Sequence, residues 1–118
     1  MPQSGKPEVT LKGLVAYRER MALPADAVVD VWIADTSPGI VAAVLLAETT
    51  VKAEGRQVPI PFEVRYDAAR VQAGHTYGVR AAIRVDGNIL FASKDAVPLT
   101  NPLKPADIEL LLVRQGSN

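Results

Sequence analysis

The chain has a single imidazole, His75. Asp67 stands eight residues before it, and Ser37 and Ser93 offer hydroxyls elsewhere, so a serine–histidine–aspartate triad can be drawn on paper. That chemistry needs an activated serine on a sharp strand-to-helix turn, and neither serine has such a context. His75 reads instead as an exposed turn residue ahead of a strand. Carboxylates are spread along the chain, Asp26, Asp35, Glu63, Asp67 and Asp107 among them, with no acidic alternation around a glycine that would make a calcium loop. A glycosidase pair needs two carboxylates about 5–10 Å apart in a cleft, and a chain with 5% aromatic residues has little surface on which to stack a sugar. No motif with a catalytic mechanism is present, so the expectation is a protein that is not an enzyme, with no cofactor and no metal.

Three other residues are candidates for binding rather than chemistry. Arg18 and Arg20 flank Glu19 where the first apolar run ends. Two guanidiniums there suit an anion, while the plainer reading is alternating charge on a solvated strand end. Trp32 lies in the polar phase of its run, opposite Val29, Val31 and Ile33. A tryptophan on the nominally wet face either marks a partner surface or is covered by a loop or sheet edge. Trp32, Arg18 and Arg20 are therefore the expected protein-binding residues.

Composition narrows the classes. The chain has 118 residues and no cysteine, which excludes disulfides, thiol nucleophiles and thiolate metal sites. Thirteen basic residues balance thirteen acidic ones, so no net field favours nucleic acid or an anionic membrane. The first eight residues contain no apolar stretch and do not form a signal peptide. The longest apolar run, Gly39 to Ala47, falls short of the roughly 20 residues that span a bilayer.

The candidates must be positioned by strands. Nine prolines and eight glycines recur between short apolar runs. Val9 to Tyr17, Val28 to Asp35, Ile60 to Tyr66 and Thr76 to Val85 alternate cleanly at period two. Val44 to Lys52 alternates less clearly, with Leu45, Ala47, Thr49 and Val51 on one face, and a short helix near Ile40 to Leu46 is the competing reading. Ile89 to Ala92, Val97 to Thr100 and Ile108 to Val113 complete the set. The pattern predicts an all-β fold, an antiparallel β-sandwich of roughly seven or eight strands, with a partly open barrel as the alternative. The sandwich should occupy residues 9–114, between a flexible segment 1–8 and a tail 115–118. Ile33, Phe62, Val64, Tyr77, Val79, Ile83, Leu110 and Leu112 are expected in the core.

Turns carry their own signals. Asp86-Gly87 between Val85 and Ile89 suits a tight hairpin. Pro59 and Pro61 flank Ile60, which puts that strand end at a sheet edge or a bulge. Val71-Gln72-Ala73-Gly74-His75-Thr76-Tyr77 has the form of a tyrosine corner, with the Tyr77 hydroxyl expected to bond to backbone between Asp67 and Gly74.

The segment Gly13-Leu14-Val15-Ala16-Tyr17-Arg18-Glu19-Arg20-Met21-Ala22-Leu23-Pro24 resembles the opening motif of the YbaY/YscW-type lipoproteins. The likeness continues through Ala27-Val28-Val29-Asp30-Val31 to Asp35 and Ser37. It resumes at Gly55-Arg56-Gln57-Val58-Pro59-Ile60-Pro61-Phe62, at Tyr66-Asp67 and at Tyr77-Gly78-Val79-Arg80-Ala81, so that it covers residues 9 to 114. The resemblance implies an exported lipoprotein domain of Gram-negative bacteria, folded as a β-sandwich. One branch holds the pilotins of type III secretion, which bind the secretin subunit and escort it to the outer membrane. The family has no established catalytic residues, and none is carried over.

The sequence departs from the family pattern in lacking a signal peptide and a lipidated cysteine. The implied place is the periplasm, anchored to the outer membrane if the natural precursor has a lipobox, and otherwise the cytoplasm. Any membrane attachment would run only through that lipid anchor. The implied function is a non-enzymatic envelope domain that binds protein, a secretin or another envelope protein, and no nucleic acid. A small-ligand carrier, with a pocket at Gly78, Ala81 and Ala82, and a purely structural envelope domain are the alternatives.

Overall fold

Period-two alternation becomes eight strands in the computed structural model, which describes residues 7–39 and 44–115. They are β1 (Glu8–Tyr17), β2 (Val28–Asp35), β3 (Leu45–Lys52), β4 (Ile60–Asp67), β5 (Tyr77–Val85), β6 (Asn88–Ala92), β7 (Val97–Pro98) and β8 (Ala106–Arg114). The helical content among the described residues is one 3-10 turn, Ala68–Arg70, capped by the Asp67 carboxylate on the Ala69 N–H. The all-β expectation holds.

The arrangement differs from two separate antiparallel sheets. The strands form one hydrogen-bonded path, β3-β2-β5-β6-β8-β1-β4, with β7 added beside β5. Its two ends, β3 and β4, pack side by side without a ladder between them, so the sheet nearly closes into a barrel. Arg70, just beyond β4, reaches across this seam to the Leu45 carbonyl at 3.4 Å. One pair is parallel: β1 and β8 run the same way, with Leu11 opposite Ala106 and Tyr17 opposite Leu112. Period-two patterning fixes which face of a strand is buried but leaves strand direction open, so this pair was beyond its reach. Pro59 and Pro61 do mark an edge, since β4 pairs with β1 alone.

All eight core residues named from the sequence are buried. Tyr17 of β1 stacks on Phe91 of β6 inside the barrel, with ring centroids 3.9 Å apart. Opposite Phe62, Gly13 leaves room for the aromatic ring: a Cβ there would lie 2.7 Å from the ring and collide with the Ile108 carbonyl oxygen. The expected face of β3 shifts at its start. A register irregularity between Ile33 and Ala34 sets Ala47 opposite Ile33 but Leu45 opposite Ala34, so Leu46 turns inward and Leu45 outward. Leu45 and Leu46 are strand residues rather than part of a short helix, Val44 before them is not helical either, and residues 40–43 of that expected helix lie outside the described residues.

Val85 and Asn88 close the β5–β6 hairpin over Asp86 and Gly87, both at positive φ (52° and 81°), the backbone that a tight two-residue turn requires. At the chain ends, the Pro7 carbonyl accepts from the Ala68 N–H and the Gln115 N–H donates to the Leu90 carbonyl. Residues 1–6 and 116–118 of the expected terminal segments lie outside the described residues.

Candidate protein-binding surfaces

Asp35 ends β2 in phase with Val29, Val31 and Ile33, which carries a carboxylate to the rim of the core. Burial of a charge there requires partners. The Ser37 backbone N–H donates to Oδ1 at 2.9 Å, and His75 Nδ1 stands 2.5 Å from Oδ2. Hydrogen bonding from Ser37, and next from His75, lowers the Asp35 carboxyl from its ordinary 3.8 to about 2. The Ser37 hydroxyl accepts from the Thr76 N–H at 2.9 Å, and the Thr36 N–H donates to the Thr76 carbonyl at 2.8 Å. Residues 35–37 and 75–77 are thus laced together where β2 meets β5.

The partner of His75 is Asp35, not Asp67, whose carboxylate caps the 3-10 turn. Ser93 is committed elsewhere: its hydroxyl accepts from the Ala81 N–H at 2.9 Å and donates to the Ala81 carbonyl at 3.3 Å. The triad drawn from the sequence therefore does not assemble. Ser37, Asp35 and His75 do gather, but the carboxylate sits between the other two, and the hydroxyl is bonded to backbone. That order ties loops together; it does not relay a proton to a nucleophile. The missed residue, Asp35, had a readable signal in its apolar phase.

Tyr77, paired with Asp35 across the β2–β5 ladder, completes this corner. Its hydroxyl oxygen accepts the Gln72 backbone N–H at 3.0 Å, inside the segment the sequence indicated. Two other tyrosine hydroxyls brace loops in the same way. Tyr17 donates to the Met21 carbonyl at 2.6 Å and Tyr66 to the Pro102 carbonyl at 2.5 Å. Gln57 grips the backbone of Leu23 from both sides, accepting from its N–H at 2.6 Å and donating to its carbonyl at 3.2 Å. The Tyr-Arg-Glu-Arg-Met and Gln-Val-Pro-Ile-Pro-Phe segments owe several of their residues to these scaffold contacts.

Of the expected binding residues, Arg18 and Arg20 are exposed on the loop that Tyr17 and Met21 close, and neither makes an ion pair among the described residues. Trp32 is half-buried on the outer face of β2, between Glu48 of β3 and Arg80 of β5. Below it on that face, Arg84 holds Asp30 through two contacts, Nε–Oδ2 at 2.5 Å and Nη2–Oδ1 at 3.2 Å, and Thr50 donates to the same carboxylate at 2.9 Å. The Arg84 hydrogen bonds, opposed by partial burial, hold the Asp30 carboxyl below its ordinary range. The structure does not bring Trp32 and the arginines together: β5, β6 and β8 separate β2 from β1 along the sheet.

The small residues on which a ligand pocket was considered are filled in. Ala81 lies in the packed core, and Gly78 is covered by Ala96 and Thr36, whose side chains would stand 2.8 Å and 3.2 Å from an added Cβ. Among the described residues no three histidine or acidic side chains gather into a metal-binding group, and no helix is long and apolar enough to cross a membrane.

The model of a family described as type III secretion system lipoprotein chaperone (YscW) matches residues 6–110. The uncharacterized lipoprotein YbaY of Escherichia coli K12 is 33% identical over 115 residues, which is 97% of this chain and 60% of that protein. The chain thus spans less than two thirds of the relative's length. A solved alternative pilotin from the type II secretion system of Vibrio cholerae shares 34% identity and superposes with a TM-score of 0.86, covering 94% of this chain and all of that one.

Proposed function

Because this chain belongs to the YscW family of lipoprotein chaperones, we propose that it is a non-enzymatic envelope domain that binds another protein, with a secretin subunit as the partner. The observation that carries the reading is the similarity to a pilotin across the whole of the pilotin's chain. The site geometry supports it. His75, Ser37 and Ser93 are all engaged in structural bonds, while Arg18, Arg20 and part of Trp32 face solvent. Trp32 offers the larger contact area, because aromatic side chains anchor interfaces most often. The Arg18–Arg20 loop, held in shape by Tyr17, supplies charge for orientation. The lipoprotein relatives support work in the envelope, and a lipid anchor on the natural precursor would put it at the outer membrane.

The test is direct. The purified chain is titrated with C-terminal segments of the secretins encoded in the same genome, and secretin is followed by membrane fractionation in cells that lack the chain. Saturable binding, with secretin lost from the outer membrane, supports the reading. Absence of binding to every secretin segment, with fractionation unchanged, overturns it.

A further inference from the structure

Strand β8 has a complete neighbour on one side only. β1 pairs with it from Ala106 to Leu112, whereas β6 reaches it only at Val113 and Arg114. Beyond that point the chain leaves β8, and β7 pairs with β5 instead. A hollow of about 270 Å³ opens where β7 and β8 separate, with Leu99, Ala106 and Ile108 in its lining.

The direction of the backbone can be assigned. The Gln115 N–H donates to the Leu90 carbonyl at 2.8 Å, so the polar groups of residue 115 point toward β6. Successive residues of a strand send their N–H and C=O groups to opposite sides. Val113, Leu111, Glu109 and Asp107 therefore point the same way as Gln115. The Ile108 carbonyl, close against Gly13 of β1, confirms the opposite direction for the even-numbered residues. Val113 faces Ala92 of β6. On that side the β6 ladder stops at Val113, so Leu111, Glu109 and Asp107 have no strand partner there, and no loop backbone bonds to them among the described residues. Their side chains are exposed, with Leu111 at 45%. The ion pairs among the described residues are Arg65–Glu63, His75–Asp35 and Arg84–Asp30, so neither Asp107 nor Glu109 is locked in one, although Lys12 of β1 stands opposite Asp107.

An edge with free donors and acceptors selects an extended backbone, and the side chains beside it select the sequence. We infer that the free edge of β8 takes up an extended segment of a partner protein as an additional antiparallel strand, continuing the line of β6. Read from its N-terminus, that segment places an apolar residue beside Leu111 and basic residues beside Glu109 and Asp107, at alternate positions. The intervening residues turn toward the side of Ile108 and Leu110. The inference rests on the reading of the chain as a protein-binding domain and adds the kind of segment it binds.

Amide hydrogen exchange followed by NMR tests it. The probe is a nine-residue synthetic peptide carrying leucine, lysine and lysine at alternate central positions, with threonine and valine elsewhere. In the free chain, the amides of Asp107, Glu109 and Leu111 should exchange as fast as loop amides. At saturating peptide they should slow at least tenfold. The same peptide N-methylated on its edge-facing residues should fail to protect them. Asp107→Lys combined with Glu109→Lys, both exposed, should keep the native spectrum elsewhere and weaken the peptide at least tenfold. Protection of these amides in the free chain, peptide binding that leaves them unprotected, or no binding at millimolar peptide overturns the inference. A secretin segment captured equally well by the wild type and the double variant overturns the edge while leaving the secretin reading intact. Peptide protection without capture of any secretin segment does the reverse.

Discussion

The Asp35 carboxylate and the His75 imidazole meet at 2.5 Å although forty residues separate them. Only the pairing of β2 with β5 brings their segments together. In the folded chain the Asp35 carboxyl titrates near 2, mainly through hydrogen bonding from Ser37 and then from His75, against an ordinary 3.8. Between those values the unfolded chain binds the proton and the folded chain does not. Stability from this group is therefore present above about pH 4 and is lost as pH falls toward about 2. Denaturant midpoints measured from pH 6 to pH 2 should fall more steeply for the wild type than for Asp35→Asn. Parallel acid limbs would show that the cluster contributes nothing to the pH dependence.

The tyrosine corner predicts a smaller, pH-independent effect. Tyr77→Phe keeps the buried ring but leaves the Gln72 N–H without its acceptor. The loss should be about 0.5–1.5 kcal/mol, the usual net worth of one hydrogen bond, with the fold intact. Urea melts of the two proteins, sharing one m-value, measure it. An unchanged midpoint means that water replaces the hydroxyl at no cost.

Gly13→Ala should cost more than its single methyl suggests. The new Cβ would meet the Ile108 carbonyl, which is backbone and held by the β1–β8 pairing, as well as the Phe62 ring. Rotation can move the ring, but only a shift of β8 away from β1 relieves the carbonyl. Overpacking of this kind costs about 1–3 kcal/mol. Thermal melts of Gly13→Ala and of Gly13→Ala with Phe62→Leu separate the two contacts. Restoration by the second substitution would place the strain on the ring rather than on the strand.

What could be read from the sequence follows the range of its signals. Strand positions and the core rest on alternation within a few residues, which is enough to bury Ile33, Val79 and Leu112. The Asp86-Gly87 turn and the Tyr77 corner are equally local. Relations between distant segments were not legible. Nothing in Val9 to Tyr17 or Ile108 to Val113 states that these runs pair in parallel. Proximity in sequence sets His75 against Asp67, while Asp35 is near only across a ladder. Alternation along a regular strand turns Leu45 inward, but the irregularity opposite Ile33 and Ala34 puts Leu46 there instead. Phase alone puts Trp32 on the outer face, but its neighbours Glu48 and Arg80 depend on the sheet order.

Trp32 gives the prediction that bears most on function. It lies on the outer face, and Ala82, Ala92 and Val113 form a row across β5, β6 and β8 that leads from its neighbourhood toward the β8 edge. Three strand spacings of about 4.8 Å put the two regions roughly 14 Å apart. A bound strand at the edge and a tryptophan anchor can therefore belong to one footprint or to two. Trp32→Ala removes contact area without opening the core, so melts should move by no more than about 1 kcal/mol. Affinity for a secretin segment should fall at least tenfold if the tryptophan anchors it, since hot-spot truncation costs about 2 kcal/mol or more. As the chain has one tryptophan, its fluorescence reports the same event: free protein should be partly accessible to iodide, and bound protein shielded. Replacing Arg18 and Arg20 with serine should instead slow association and reduce its salt dependence. A double-mutant cycle between Trp32→Ala and Glu109→Lys then decides the geometry. Additive losses mean that the two regions act independently, and coupling means that one segment touches both. If Trp32→Ala binds as the wild type does, and Trp32 of the wild type stays open to iodide in the complex, the outer face of β2 is not an interface.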